Sequence, residues 1–303
     1  MRFSVWPGPD RPWVDTLRLV QACDEVGWDG AWFADHFMPN DAQGATPLDG
    51  PSLECWSVLA GLAASTSRLR LGPLVSGNLY RHPAVVANAA ATIDQISGGR
   101  FVLGLGSGWQ VNEHAAYGID LLSVKDRMDH LEESAEVITS LLREKRTTFA
   151  GVHYRITDAP CDPKPVRERL PLLIGGRGEH RTMRVAARFA DEWNAWTTPE
   201  DFAAKSAVLD RRCEEIGRNP AEIRRSTQAM VFLSTDEKWL ERHRGPAGRP
   251  VLVGTPAEMV EQVGAYRDAG VDELIVPDWT MGDADRTSDT LALFWSEVAA
   301  HLR

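Results

Sequence analysis

From Phe3 onward, short runs of aliphatic, aromatic and β-branched residues alternate with longer segments of helical period, eight times over. Strands are expected near Phe3–Trp6, Gly30–Ala34, Leu69–Val75, Phe101–Gly104, Leu172–Gly175, Glu192–Ala195, Gln228–Leu233 and Glu273–Val276. Helices are expected near Trp13–Val26, Leu53–Ser65, Ala84–Ile96, Arg127–Arg143, Glu179–Ala190, Glu200–Ile216, Ala257–Ala269 and Ala284–His301. Such alternation forces neighbouring strands parallel, because each helix carries the chain back along the sheet before the next strand starts. Eight units in 303 residues fit closure into a single-domain α/β fold, a (β/α)8 barrel of the TIM type spanning residues 1–303.

A phrase repeated at the helix-to-strand joints supports this reading. Val26-Gly27-Trp28-Asp29 and Ala269-Gly270-Val271-Asp272 are nearly the same, and Phe189-Ala190-Asp191-Glu192 echoes them. Glycine enters the left-handed capping conformation cheaply, and the aspartate stays polar ahead of a buried strand. These joints lie on the face of a barrel that serves stability. Chemistry belongs to the opposite face, at the strand C-termini. Three connections there are long: His36–Pro51, Trp109–Lys125 and Asp236–Thr255. The last follows strand seven, and its Gly245-Pro246-Ala247-Gly248 segment suggests a mobile cover over a substrate.

Bulk properties narrow the partners. A net charge of −10 with no dense basic run argues against nucleic acid and against a membrane surface. No run approaches the roughly 18 apolar residues of a spanning helix, and no signal core precedes Pro7-Gly8-Pro9, so the expected location is the cytoplasm. Cys23, Cys55, Cys161 and Cys213 are scattered and read as reduced thiols, and the eight histidines show no metal-ligand spacing. Arg81-His82-Pro83 precedes an Ala-rich helix whose small residues suit close packing, against the barrel or across a subunit interface. The expected partners are a small-molecule substrate and a second copy of the chain, as a homodimer.

Four features carry candidate chemistry. Gly104-Leu105-Gly106-Ser107-Gly108-Trp109 lets a backbone approach a ligand. It is not a Rossmann fingerprint, since Trp109 stands where that motif needs Gly or Ala and the stretch follows the fourth strand. By itself it reads equally as a tight turn. Leu173-Ile174-Gly175-Gly176-Arg177-Gly178-Glu179 runs a buried strand into a glycine turn and a helix start, an arrangement suited to phosphate, with Arg177, His180 and Arg181 as cationic donors. Asp35-His36 ends the second strand on the catalytic face and reads as an acid–base group or as a loop cap. Of eleven tryptophans, Trp6, Trp109, Trp196 and Trp279 follow strands one, four, six and eight, and together they suit an aromatic cup over a planar ligand.

Asp35-His36-Phe37, Leu79-Tyr80-Arg81-His82-Pro83, the stretch Ser97–Trp109 and Leu173-Ile174-Gly175-Gly176 resemble the luciferase-like monooxygenase superfamily. With Pro163-Lys164-Pro165 and Ala190-Asp191-Glu192-Trp193-Asn194, the chain looks like the branch that uses the deazaflavin coenzyme F420. The resemblance covers Phe3 to about Pro277. It implies a cofactor across the barrel mouth, with Asp35 and His36 at the ring and Pro73-Leu74-Val75-Ser76 propping it from behind. A non-prolyl cis peptide lies in that bulge in many members, and Pro73-Leu74 is the aligned bond. Gly106, Ser107, Gly108 and Asn112 match further cofactor contacts, and Gly175, Gly176, Arg177 and Gly178 match the phosphate loop. The implied activity is hydride exchange between the deazaflavin C5 and an organic substrate, with His36 as the protonating group. FMN-dependent monooxygenation is the first alternative and a non-catalytic cofactor-binding protein the second. Members that oxidise sugar phosphates carry an acidic residue where Trp109 stands, so the expected substrate is hydrophobic or aromatic.

Overall fold

The computed structural model describes residues 1–41, 44–46, 48–245 and 248–303. The first half of the chain runs β1 (Arg2–Trp6), α1 (Trp13–Val26), β2 (Gly30–Phe33), α2 (Cys55–Ser65), β3 (Arg70–Pro73), β4 (Ser76–Gly77), α3 (Pro83–Ser97) and β5 (Leu103–Gly106). It continues through α4 (Val111–Tyr117), α5 (Val124–Arg143), the hairpin β6 (Thr147–Ala150) and β7 (Arg155–Ala159), β8 (Leu172–Gly175), α6 (Thr182–Phe189), β9 (Glu192–Asn194) and α7 (Pro199–Glu214). The last part holds β10 (Arg224–Gln228), β11 (Met230–Leu233), α8 (Glu237–Glu241), β12 (Val251–Gly254), α9 (Pro256–Asp268), β13 (Glu273–Pro277) and α10 (Ala284–Glu297).

Nine strands pair in parallel in the order β3-β2-β1-β13-β10-β9-β8-β5-β4. A parallel bridge between Leu71 and Phe101 joins the two ends of that sheet. Because β3 and β4 are two halves of one interrupted stave, the result is an eight-stave TIM barrel, as the strand–helix alternation requires. Trp6, Trp32, Ala34, Leu74, Val102, Leu173 and Ile275 fill its interior, and a larger apolar cluster seals the staves to the helices.

The repeated joints have a specific purpose. Gly27 and Gly270 both hold positive φ, at 109° and 90°. The aspartates that follow pin the neighbouring stave: Asp29 accepts the Phe3 N–H at 2.8 Å, Asp191 that of Leu172 at 3.0 Å and Asp272 that of Arg225 at 2.7 Å. Each carboxylate thereby supplies a partner for an amide at the start of a strand, where the ladder has not yet formed.

Several sequence expectations need correction. The seventh strand, expected over Gln228–Leu233, is two: β10 lies in the barrel, and β11 leaves it to pair with β12. The apolar Met230–Leu233 run drew attention from Arg224–Gln228, whose polar residues are the true stave. The third strand breaks after Pro73, and its cis bond is Leu74–Val75, one bond beyond the expected Pro73–Leu74. The bulge therefore turns at Val75, whose side chain fills space left by three glycines described below. The helix expected from Glu179 starts at Thr182. The hairpin β6–β7 was not foreseen, because its short strands are largely exposed and carry no apolar alternation. Asp236–Thr255 is not a featureless loop: Asp236 caps α8 through the Trp239 N–H, and Val251–Gly254 forms β12. Pro246 and Ala247 of its expected flexible segment lie outside the described residues.

The Ala-rich helix α3 packs against the barrel, one of the two roles its small residues suit. Ala87, Ala90 and Ala91 are buried toward the barrel. Its other side, with Val85 and Ile96 exposed, lines an open groove of about 680 Å³ shared with Trp56 and Ala60 of α2.

Candidate active site

The upper end of the barrel, where the staves finish, gathers Asp35 and His36 beyond β2, the bulge before β4, the turn after β5 and the turn after β8. Asp35 is buried. Its Oδ2 accepts hydrogen bonds from Ser76 Oγ at 2.9 Å, Gly77 N at 3.0 Å and Arg81 Nη1 at 2.7 Å. Arg81 also pairs with Glu54 at 2.7 Å, which ties the carboxylate to the start of α2. Burial opposes the Arg81 charge, but Asp35 and Glu54 outweigh it and raise the guanidinium pKa. Asp35 Oδ1, by contrast, is buried with no partner among the described residues.

His36 is held through Nδ1, 2.7 Å from Glu113 Oε1. Glu113 comes from α4, accepts the Phe37 N–H at 2.7 Å through Oε2 and accepts the Tyr80 hydroxyl through Oε1. Burial pushes the Glu113 carboxyl up, yet these donors outweigh it and hold it below the ordinary carboxylate range. Burial and the same carboxylate push the Tyr80 phenol well above its usual value, so Tyr80 is a fixed donor. With Nδ1 engaged to an ionised carboxylate, His36 keeps Nε2 as its working nitrogen. The Trp109 ring stands edge-on to the imidazole, with centroids 5.7 Å apart and planes at 89°.

Glu113 was not singled out from sequence. The available signal was its place beside Asn112, directly after the glycine stretch, in a helix too short to show a period. The structure gives this helix a common task. Asn112 Nδ2 donates to Pro39 O at 3.0 Å and Thr46 O at 2.9 Å, and Gln110 Nε2 donates to Met38 O at 3.1 Å. Asn112 thus has both amide hydrogens spent on the loop after His36, and its Oδ1 accepts the Glu113 N–H at 2.7 Å. Gly44 must be glycine in that loop: its φ is +66°, and a Cβ would lie 2.4 Å from Trp109 Cζ3.

The glycines of the two candidate loops divide by role. A Cβ on Gly106 would meet Val75 Cγ2 at 2.5 Å, and one on Gly175 would meet Val75 Cγ1 at 2.8 Å. A Cβ on Gly104 would meet the Pro73 carbonyl oxygen at 2.1 Å. All three make room for the bulge between β3 and β4. Gly176, at φ +129°, donates its N–H to Asn194 O at 2.9 Å, which leaves it committed to the barrel. The amides of residues 177–180 donate to nothing among the described residues. Arg177 is exposed and 3.8 Å from Asp201, and Arg181 is tied to Asp129. Among the described residues Ser107 has no polar partner, while Gly108 accepts a hydrogen bond from Arg127 Nη1 at 2.8 Å.

The four tryptophans do not form one cup. Trp6, Trp196 and Trp279 cluster with centroids 4.9–6.0 Å apart, and Arg249 lies over Trp196 and Trp279 at 5.1 and 5.4 Å. Trp109 belongs with His36 and Gly44 instead. Arg249 was also missed from sequence, because reading Asp236–Thr255 as a cover does not say which of its side chains meets the tryptophans.

These features make the molecule an eight-stave α/β barrel with a glycine-relieved bulge at stave three and, among the described residues, an unpaired carboxylate oxygen at its mouth. The chain belongs to the luciferase-like monooxygenase family, whose model matches residues 1–250, and it is an oxidoreductase. It is 36% identical over 224 residues to the F420-dependent glucose-6-phosphate dehydrogenase of Kineococcus radiotolerans, a match covering 72% of this chain and 63% of that enzyme. It is 33% identical over 298 residues to the enzyme of the same name from Amycolatopsis mediterranei, covering 86% of this chain and 87% of the relative. The coenzyme F420-dependent tetrahydromethanopterin reductase of Methanopyrus kandleri superposes with a TM-score of 0.84 at 20% identity, over 100% of this chain and 99% of that one, which shows the shared fold. Among the described residues no helix is long and apolar enough to cross a membrane, and no His, Cys, Asp and Glu group is placed to hold a metal ion.

Proposed function

We propose that this protein is an F420-dependent oxidoreductase acting on a small, flat, largely apolar organic substrate. The observation that carries the reading is the buried, unpartnered Asp35 Oδ1 beside a His36 whose Nδ1 is already taken by Glu113. A buried polar atom without a partner is costly, and a ligand that donates to it removes the cost. The relatives named F420-dependent support a deazaflavin as that ligand.

The residues present fit such a group. Asp35 and His36 would bind its ring system, the segment Pro73-Leu74-Val75-Ser76 would back it, and the free amides of residues 177–180 would take its phosphate. Gly106, Ser107 and Gly108 line the turn between these positions, Gly106 and Gly175 keeping the bulge in register. When bound, the cofactor supplies two-electron hydride exchange. Glu113 fixes the His36 tautomer and ring plane, Tyr80 fixes Glu113, and His36 Nε2 holds or moves the proton that accompanies the hydride at the substrate. Trp6, Trp196 and Trp279 would give the substrate an apolar bed, with the Trp109 ring edge-on to His36. That lining favours a hydrophobic or aromatic substrate over the sugar phosphate in the relatives' names.

The test is extraction of cofactor from protein made in a host that contains both F420 and FMN, followed by mass measurement and turnover with reduced F420. A deazaflavin with a glutamyl tail and turnover are expected. FMN alone would place the chain with the monooxygenases, and F420 bound without turnover on a panel of enones, imines and ketones would make it a binding protein. The apolar groove between α2 and α3 supports assembly as a homodimer, which light scattering checks.

A further inference from the structure

Arg249 is a guanidinium with no counter-ion among the described residues. Among the described residues it makes no hydrogen bond and no ion pair, and its contacts are the Trp196 and Trp279 rings. Other arginines at this end of the barrel are committed. Arg11 is 2.9 Å from Asp278 and donates to Thr287 Oγ1 at 3.1 Å, and Arg81 is shared between Asp35 and Glu54. Asp278, next to Trp279 in the chain, is spent on Arg11 and on the Gly8 N–H at 2.8 Å. Burial lowers the Arg249 pKa with no opposing carboxylate, yet a guanidinium does not lose its proton in a protein. A half-buried positive charge is thus kept at the mouth on two indole faces that lie beside a third, Trp6.

Stacking on indoles covers the flat face of a guanidinium and leaves its N–H edge free. That edge matches a carboxylate, which accepts two parallel N–H bonds in one plane. The adjoining Trp6, Trp196 and Trp279 offer an apolar surface for whatever the carboxylate is attached to. Resting on the reading of this mouth as the substrate side of an oxidoreductase, we propose that the substrate is a carboxylic acid with a flat apolar body. Arg249 binds its carboxylate in the plane of the guanidinium, and the three tryptophans bind the body.

The probes are 2-naphthoate and its neutral isostere 2-naphthamide, titrated by calorimetry into the full chain, first as purified and then saturated with F420. The wild type should prefer the carboxylate by about tenfold or more, the value of one charged hydrogen-bonded pair. Arg249→Met should erase that preference, and Arg249→Lys should restore only part of it, since an ammonium cannot make the two-point bond. Unchanged melting temperature checks that the variants fold, and Arg249→Gln replaces Arg249→Met if the latter does not. Equal affinity for the two probes in the wild type, or a preference that survives Arg249→Met, overturns the proposal. So does a large loss of F420 affinity in Arg249→Met, which would assign Arg249 to carboxylates of the cofactor's tail. A carboxylate preference that depends on Arg249 in a chain that fails to bind F420 leaves this proposal standing and removes the proposed cofactor.

Discussion

At the lower end of the barrel, Glu273 accepts hydrogen bonds from Ser4 at 2.6 Å, Trp32 at 2.9 Å and Arg70 at 2.9 Å, and Arg2 lies 3.1 Å away. Arg70 reaches across the staves to Glu192 as well. At the upper end, among the described residues, Asp35 Oδ1, Trp6 Nε1 and Gln228 Oε1 are buried without partners, and Arg249 has only aromatic faces. Both ends bury charge, but one completes its network from within the chain and the other leaves it incomplete. A closed network seals and orients the staves; an open one is paid for only when something binds. The contrast separates the part of the barrel that serves folding from the part that serves a ligand.

The largest effect tests the lower end. Arg70→Met leaves Glu192 and Glu273 without their shared cation, a loss of about 3–5 kcal/mol, seen as a lower urea midpoint. Cofactor affinity of the folded fraction should not change. An unaltered midpoint would mean that the lower network contributes nothing beyond packing.

His36→Ala tests the upper end from the opposite side. Turnover should fall by ~10²-fold or more, a much larger factor than any loss of F420 affinity. Normal turnover with weakened F420 binding would leave His36 with the ring-holding role alone.

Glu113→Gln sharpens the comparison, because Glu113 is an upper carboxylate both of whose oxygens find donors within the chain. Its folded pKa is depressed, so the ionised form stabilises the fold above the ordinary value of about 4.3, and that contribution is lost as pH falls through the lower, folded value. The stability gap between wild type and Glu113→Gln should therefore be constant from about pH 5 to 7 and shrink in acid. A gap that widens in acid would contradict the donor set seen here.

The smallest effect is expected from removing residues 245–248 while keeping β11 and β12. Arg249 would be displaced from Trp196 and Trp279, changing both KM and kcat modestly without a change in stability. Wild-type kinetics in a folded deletion would show that the segment neither covers the mouth nor positions Arg249.

The barrel, the positions of seven of its eight staves and the catalytic-face location of Asp35 and His36 were legible in the sequence, whereas the polar seventh stave Arg224–Gln228 was not. Apolar period and joint glycines are local properties, and a (β/α)8 arrangement is the ordinary closed answer to eight strict alternations. The Asp29, Asp191 and Asp272 repeat was visible as a phrase, though only the fold showed that each carboxylate pins a neighbouring stave. Glu113, Arg81 and Arg249 took their places through tertiary structure, since each meets at least one partner 45 or more residues away: Arg81 to Asp35 spans 46 positions and Glu113 to His36 spans 77. Gly106 and Gly175 looked like ligand loops because a glycine signals close approach without naming what approaches; here it is Val75, across two staves. Sequence by itself determined the barrel and which of its ends could hold chemistry, for those follow from period and direction along the chain. Only the tertiary structure decided which polar groups find partners and which are left for a ligand, because pairing depends on distances between residues that the chain order keeps apart.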